Sequence, residues 1–135
     1  MGMDLIVTSG AMATLLKEAA NTAPQECCGL LLGEGNRIEQ AQPAANVAAD
    51  PHRQFEIDPS ALIAAHRAAR AGGPAILGYY HSHPVGAARP SATDQAQASG
   101  DGRIWAIIGL VAGEVTFWRD LPDGFEALPS RVAQG

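Results

Sequence analysis

No uninterrupted apolar run in this chain approaches the roughly 20 residues that a membrane-spanning helix needs; Gly, Glu or His breaks the longest candidates. Positive charge is also scarce. Nine Lys and Arg stand against fourteen Asp and Glu, a formal net charge of -5, and the basic residues are scattered along the chain. That pattern lacks the basic stripe of a nucleic-acid binder, so neither nucleic acid nor membrane is expected as a partner. Cysteine is reduced to two neighbours, Cys27 and Cys28. Adjacent side chains on a strand point to opposite faces, which disfavours a bridge between them, and the C-x-x-C spacing of redox and zinc motifs is missing. They read as free thiols packed as small apolar groups. The segment Met1 to Ile6 shows no basic region followed by an apolar one, and Ile6 stands where myristoylation of Gly2 favours Ser or Thr. A cytoplasmic location is the expectation.

What is present fits a compact globule. At 135 residues, 47% hydrophobic and 17% charged, the chain reads as one domain, residues 1–135, able to bury a core without disulfides. Ser9 to about Ala20 predicts a helix, with Ser9 as N-cap and Met12, Leu15, Leu16 and Ala19 on one face. Cys27 to Leu32 and Arg37 to Ala41 flank the turn signal Gly33-Glu34-Gly35-Asn36 and predict a β-hairpin. Residues 42–53 read as a loop and Gln54 to Ile57 as a short strand. Asp58-Pro59-Ser60 opens a helix to about Ala71, with Asp58 as N-cap and Pro59 at the first helical position. A buried-type strand, Ala75 to Tyr80, follows. Ser91 to about Ser99 predicts a third helix, and Ile104 to Leu110 with Glu114 to Arg119 a second hairpin. The Pro-containing tail from Leu121 is expected to pack peripherally. Interleaved helices and strands predict an α/β fold, a single mixed β-sheet flanked by helices.

The chemistry concentrates at His81-Ser82-His83-Pro84 and, further on, Ser91-Ala92-Thr93-Asp94. Residues i and i+2 of a strand share a face, so His81 and His83 can point into one cleft, and Asp94 in the first turn of the next helix can add an oxygen. Three protein ligands leave a fourth position open, which separates catalytic from structural zinc. The plainer reading is that Ser91-x-x-Asp94 is a helix capping box and Asp94 a partner of the helix dipole. The clustering of all three candidates after a buried strand favours metal. Hydrolysis would further require a general base and a donor to the developing oxyanion. Ser91 is a candidate donor, and spacing alone does not choose among the Glu residues for the base. His52 and His66 have no partner at ligand spacing. Trp105 and Trp118 read as packing, and Glu34, Glu39 and Glu56 as solvated charges.

Glu26-Cys27-Cys28-Gly29-Leu30-Leu31-Leu32-Gly33, followed by His81-Ser82-His83-Pro84, then Ser91 and Asp94, resembles the JAMM/MPN+ metalloproteases of the JAB domain. The family pattern is a distant Glu, His-x-His-Pro, seven residues from the second His to a Ser, and two more to an Asp. Here residues 84–90 fill the seven and Ala92-Thr93 the two. The resemblance implies a JAB/MPN fold, related to cytidine deaminases, and zinc (Zn2+) held by His81, His83 and Asp94. It implies Glu26 as general base, passing its proton to the leaving amine, and Ser91 as stabiliser of the tetrahedral intermediate. The substrate implied is an amide or isopeptide bond after the C-terminal Gly-Gly of a ubiquitin-like protein. For a compact prokaryotic member that means a sulfur-carrier protein, whose tail could lie extended beside the strand ending in His81, as an added strand. The alternative is a non-catalytic scaffold module that binds a ubiquitin-like partner; retention of all five residues argues against it. A zinc deaminase would require H-x-E with P-C-x-x-C, and neither is present. The sequence leaves a homodimer open.

Overall fold

The computed structural model describes residues 4–135; Met1 to Met3, and with them the reading of Gly2, lie outside the described residues. Eight strands and three helices follow in the order β1 (Leu5–Thr8), α1 (Ser9–Thr22), β2 (Cys28–Glu34), β3 (Arg37–Ala44), α2 (Pro59–Arg70), β4 (Ala75–His83), α3 (Ala92–Gln97), β5 (Ile104–Gly109), β6 (Glu114–Leu121), β7 (Gly124–Leu128) and β8 (Ser130–Ala133). All strands join one mixed sheet of order β7-β6-β5-β4-β2-β3-β1-β8. β1 runs parallel to β3 and β8, and β4 parallel to β5; the other pairs are antiparallel. β7 and β8 lie at opposite ends of this order, although only Pro129 separates them in sequence. The sheet therefore curls until its two edges come together at Pro129, whose carbonyl accepts from the Leu5 N–H at 3.0 Å.

Strand alternation divides the core. On one face α1 contributes Ala11, Leu15 and Ala19 to a cluster with Val7, Cys27, Leu31, Ile38, Tyr80, Ala106, Ile108 and Phe117. On the other, α2 covers Leu30 and Leu32 through Leu62 and Ala65, and Phe55 and Ile57 pack with Cys28, Tyr79 and Trp105. Cys27 and Cys28 thus face opposite sides and are unbridged. A bulge where Leu31 pairs with Gly78 but Leu32 with Ile76 sets the phase of β4. It leaves Tyr79 on the α2 side and Tyr80 on the α1 side.

Several expected boundaries move. β1 is a strand not anticipated, and its last residue, Thr8, displaces Ser9 as N-cap by accepting from the Ala11 N–H. α1 runs on to Thr22, and Leu16 turns to solvent while Leu15 is fully buried. β3 extends to Ala44, into the expected loop. Gln54 to Ile57 is not a strand; it forms a single bridge, Asn46 to Ile57. β4 continues through His83, so the histidines lie within the strand and not after it. α3 stops at Gln97, and the tail supplies both edge strands of the sheet. The α2 start, with Asp58 accepting from Ser60 N and Pro59 at its head, is as read. Among the described residues no helix is long and apolar enough to cross a membrane.

Candidate metal centre and its cleft

With β4 phased by its bulge, Tyr79, His81 and His83 share the α2-side face. His81 is paired on one edge with Cys28 and on the other with Ile107. Its ring stacks on Phe55, centroids 4.3 Å apart and 15° from parallel, and meets the edge of Trp105 at 5.6 Å. The side chain is fully buried. α3 brings Asp94 across so that Oδ1 lies 2.9 Å from His81 Nε2 and Oδ2 lies 3.1 Å from His83 Nε2. One ligand atom from each of the three residues falls within 4.8 Å of the others.

The hydrogen bonding of this trio asks for a cation. His83 Nδ1 sits 2.8 Å from the Ala87 carbonyl, so that nitrogen carries a proton and donates it. In a neutral ring, Nε2 then presents a lone pair to the lone pairs of Asp94 Oδ2. A proton or a metal ion between them removes the conflict. Neither ring nitrogen of buried His81 finds a hydrogen bond, despite the close approach of Nε2 to Asp94. Two imidazoles and a carboxylate are a donor set suited to a divalent transition metal, and the Ala87 carbonyl is the usual outer partner that fixes a ligating imidazole. Burial pushes His81 below its ordinary pKa, against the pull of Asp94. Burial acts the same way on His83, but the Asp94 and Ala87 hydrogen bonds outweigh it and leave the ring above its ordinary value. Burial would raise Asp94, yet the two imidazoles hold it well below the usual carboxylate range.

Glu26 immediately precedes Cys27 and β2. Its N–H donates to the Pro51 carbonyl at 2.8 Å, its carbonyl accepts from Asn46 Nδ2 at 3.0 Å, and the next N–H, of Cys27, donates to Ser82 Oγ at 2.8 Å. The side chain is 6% exposed, and buried Oε1 has no hydrogen-bond partner. Burial raises its pKa to about 7; His83 lowers it, and Asp94 and Asp50 add to the rise. A carboxylate poised near neutrality can take up a proton and release it again. Ser91 is exposed and caps α3: Oγ accepts from Asp94 N, and Asp94 Oδ2 accepts from Ser91 N, both at 3.0 Å. The capping box and the candidate metal site are thus one structure, with the Ser91 hydroxyl proton left free to donate.

Glu26, His83, Ser91 and Thr93 line a cleft of ≈ 380 Å³, with His52, Arg53 and Arg89 also on its walls. His52, read as a plain loop residue, therefore borders the site, whereas Trp105 does serve as packing, against His81. A second pocket of ≈ 360 Å³ lies across Phe55 and Trp105, floored by Ile57, Leu62 and Tyr79. An added strand beside β4 is ruled out, because β2 and β5 occupy both its edges. Sequence reading missed Phe55, Asn46 and Ser82. For Ser82 the alternation of the His-Ser-His strand was a usable signal, and for Phe55 the Phe-x-Ile spacing; for Asn46 there was none.

A desampylase of Haloferax volcanii is 38% identical over 91 residues, 66% of this chain and 66% of that protein. A probable TtuB-protein conjugate cleaving protease of Thermus thermophilus is 35% identical over 97 residues, 72% of this chain and 65% of that protein. The match thus spans just under two thirds of either relative. A protein of Desulfitobacterium hafniense whose solution structure is known superposes with a TM-score of 0.85 at 29% identity, covering 96% of this chain and 93% of that one. Residues 8–121 match the model of prokaryotic homologs of the JAB domain, and with that match, the curled mixed sheet and the His-His-Asp cluster in hand, the chain belongs to the prokaryotic branch of the JAB family.

Proposed function

We propose that this protein is a zinc-dependent isopeptidase that hydrolyses the amide bond after the C-terminal Gly-Gly of a ubiquitin-like, sulfur-carrier-type protein. The observation that carries the reading is the convergence of His81, His83 and Asp94 beside a cleft that also holds buried Glu26. The names of the Haloferax and Thermus relatives support the substrate class. We assign His81, His83 and Asp94 as zinc ligands. Zinc, when bound there, supplies a Lewis acid and lowers the pKa of water toward 7.

The chain's own groups do the rest. Glu26 Oε1, desolvated and unpaired, accepts the proton of the attacking water and then delivers it to the departing amine, in the usual order of base then acid. The Ser91 hydroxyl, with its oxygen engaged by Asp94 N, donates to the oxygen of the tetrahedral intermediate. Phe55 and Trp105 exclude water from the far side of His81. The pocket over Phe55, Ile57, Leu62, Tyr79 and Trp105 receives the tail upstream of the Gly-Gly, lying across the sheet face since the strand edges are taken. Two buried free thiols, with Cys27 raised to about 11 and Cys28 to about 12 by burial, suit a reducing, cytoplasmic setting. The test is incubation of the zinc-loaded protein with sulfur-carrier conjugates. The expected product ends at Gly-Gly, and Glu26→Gln makes none while retaining zinc. Cleavage by Glu26→Gln at the wild-type rate would remove Glu26 from the mechanism.

A further inference from the structure

Asn46 uses every hydrogen-bonding position of its side-chain amide. Nδ2 donates to the carbonyls of Glu26 and Gln54, both at 3.0 Å. Oδ1 accepts from the N–H of Ala48 at 3.0 Å and of Glu56 at 3.1 Å. Gln54 and Glu56 flank Phe55, the ring that stacks on His81. The backbone repeats the connection: Val47 N donates to Glu56 O, Asp58 N to Ala45 O, and Glu26 N to Pro51 O. One side chain therefore ties together two parts of the site that no strand pairing joins directly. These are the backbone that presents Glu26, just outside β2, and the irregular segment that lays Phe55 on a metal-ligand candidate.

We propose that Asn46 is a positioning residue that sets the Glu26 carboxylate and the His81 ring in a fixed mutual geometry, an inference that rests on the isopeptidase reading. A buried carboxylate with an unpartnered oxygen has nothing at its own tip to orient it; its direction is inherited from its backbone, which Asn46 grips through the carbonyl. The His81 ring has no partner at Nδ1 and only Asp94 Oδ1, at 2.9 Å, beside Nε2; the stacked Phe55 ring sets its plane. Both constraints pass through the same amide. Outer partners of this kind are worth about 10–100-fold in metal affinity or activity.

The experiment compares the zinc-loaded full chain with two variants. Asn46→Asp retains the size and the two accepted bonds but loses both donated ones; Asn46→Ser shortens the side chain without adding charge. Both are expected to lower kcat by about 10–100-fold, with KM and zinc content near wild type. The pH dependence of kcat is also expected to shift, which loss of stability alone would not produce. A second readout needs no cleavage. The ring current of stacked Phe55 displaces the His81 proton resonances, and in both zinc-free variants these move toward unstacked positions. Wild-type kcat in both variants, or His81 resonances that stay in place, overturns the proposal. If the wild type itself cleaves nothing, the isopeptidase reading has failed. The His81 resonances then still decide whether Asn46 holds this geometry.

Discussion

Burial favours the protonated form of Glu26, the proposed general base. Its pKa of about 7 stands above the ordinary 4.5, so between those values the folded chain binds more protons than the unfolded one. The contribution of Glu26 to stability is therefore fully present below pH 4.5 and is lost as pH rises through 7. In zinc-free protein, Glu26→Gln should leave the melting temperature nearly unchanged at pH 4 and raise it at pH 8, by about 1–3 kcal/mol of stability. Thermal melts across that range check this, and parallel curves for the two proteins would contradict it. The cap that Ser91 forms and the oxyanion contact proposed for it are separable. Ser91→Ala should cost about 1 kcal/mol through loss of the α3 cap, and lower kcat by about 10²–10³ if the hydroxyl stabilises the oxyanion. A melt and a kcat on the same sample separate the two. His81→Ala should take zinc from about one per chain to near zero, read by metal analysis.

At the level of elements, β4 is the structural centre, gripped by β2 and β5 and carrying both histidines. Gly78 lets β5 come close, because a Cβ there would run into the carbonyl of Ile104. Gly78→Ala should cost about 1–3 kcal/mol as overpacking and weaken zinc binding, since the same β4–β5 register sets His81; a melt with a zinc titration reads both. β4 was legible as a strand because its apolar run is bounded by Gly72-Gly73-Pro74. Asp58-Pro59 announced α2 for an equally local reason. Elements that owe their existence to distant partners were not legible. β1 is four residues long and exists by pairing with β3 and β8. β7 and β8 flank Pro129, which read as tail. The cluster of His81, His83 and Asp94 was readable from spacing, and Glu26 only through its resemblance to a family. Asn46 was invisible, and Phe55 offered only its Phe-x-Ile spacing, because their roles arise where an irregular loop folds back across the sheet.

Across the whole molecule, the core on both sheet faces forms without the metal trio, and the curled sheet closes through Leu5 and Pro129. Zinc would enter a site already built, unlike a zinc finger, which folds only with its metal. Chelation should therefore preserve the far-ultraviolet circular dichroism and lower the melting temperature. The loss should be about 4 kcal/mol where free zinc had stood at a thousand times its Kd; collapse of the spectrum on chelation would contradict this. In the proposed reaction, the cleft between Glu26 and the His-His-Asp cluster cleaves a ubiquitin-like tail. Its most direct test is mass spectrometry of a sulfur-carrier conjugate after incubation with zinc-loaded wild type and zinc-loaded Glu26→Gln. Free carrier ending at Gly-Gly is expected from the wild type alone; conjugates bound but left intact by fully zinc-loaded wild type would overturn the isopeptidase reading.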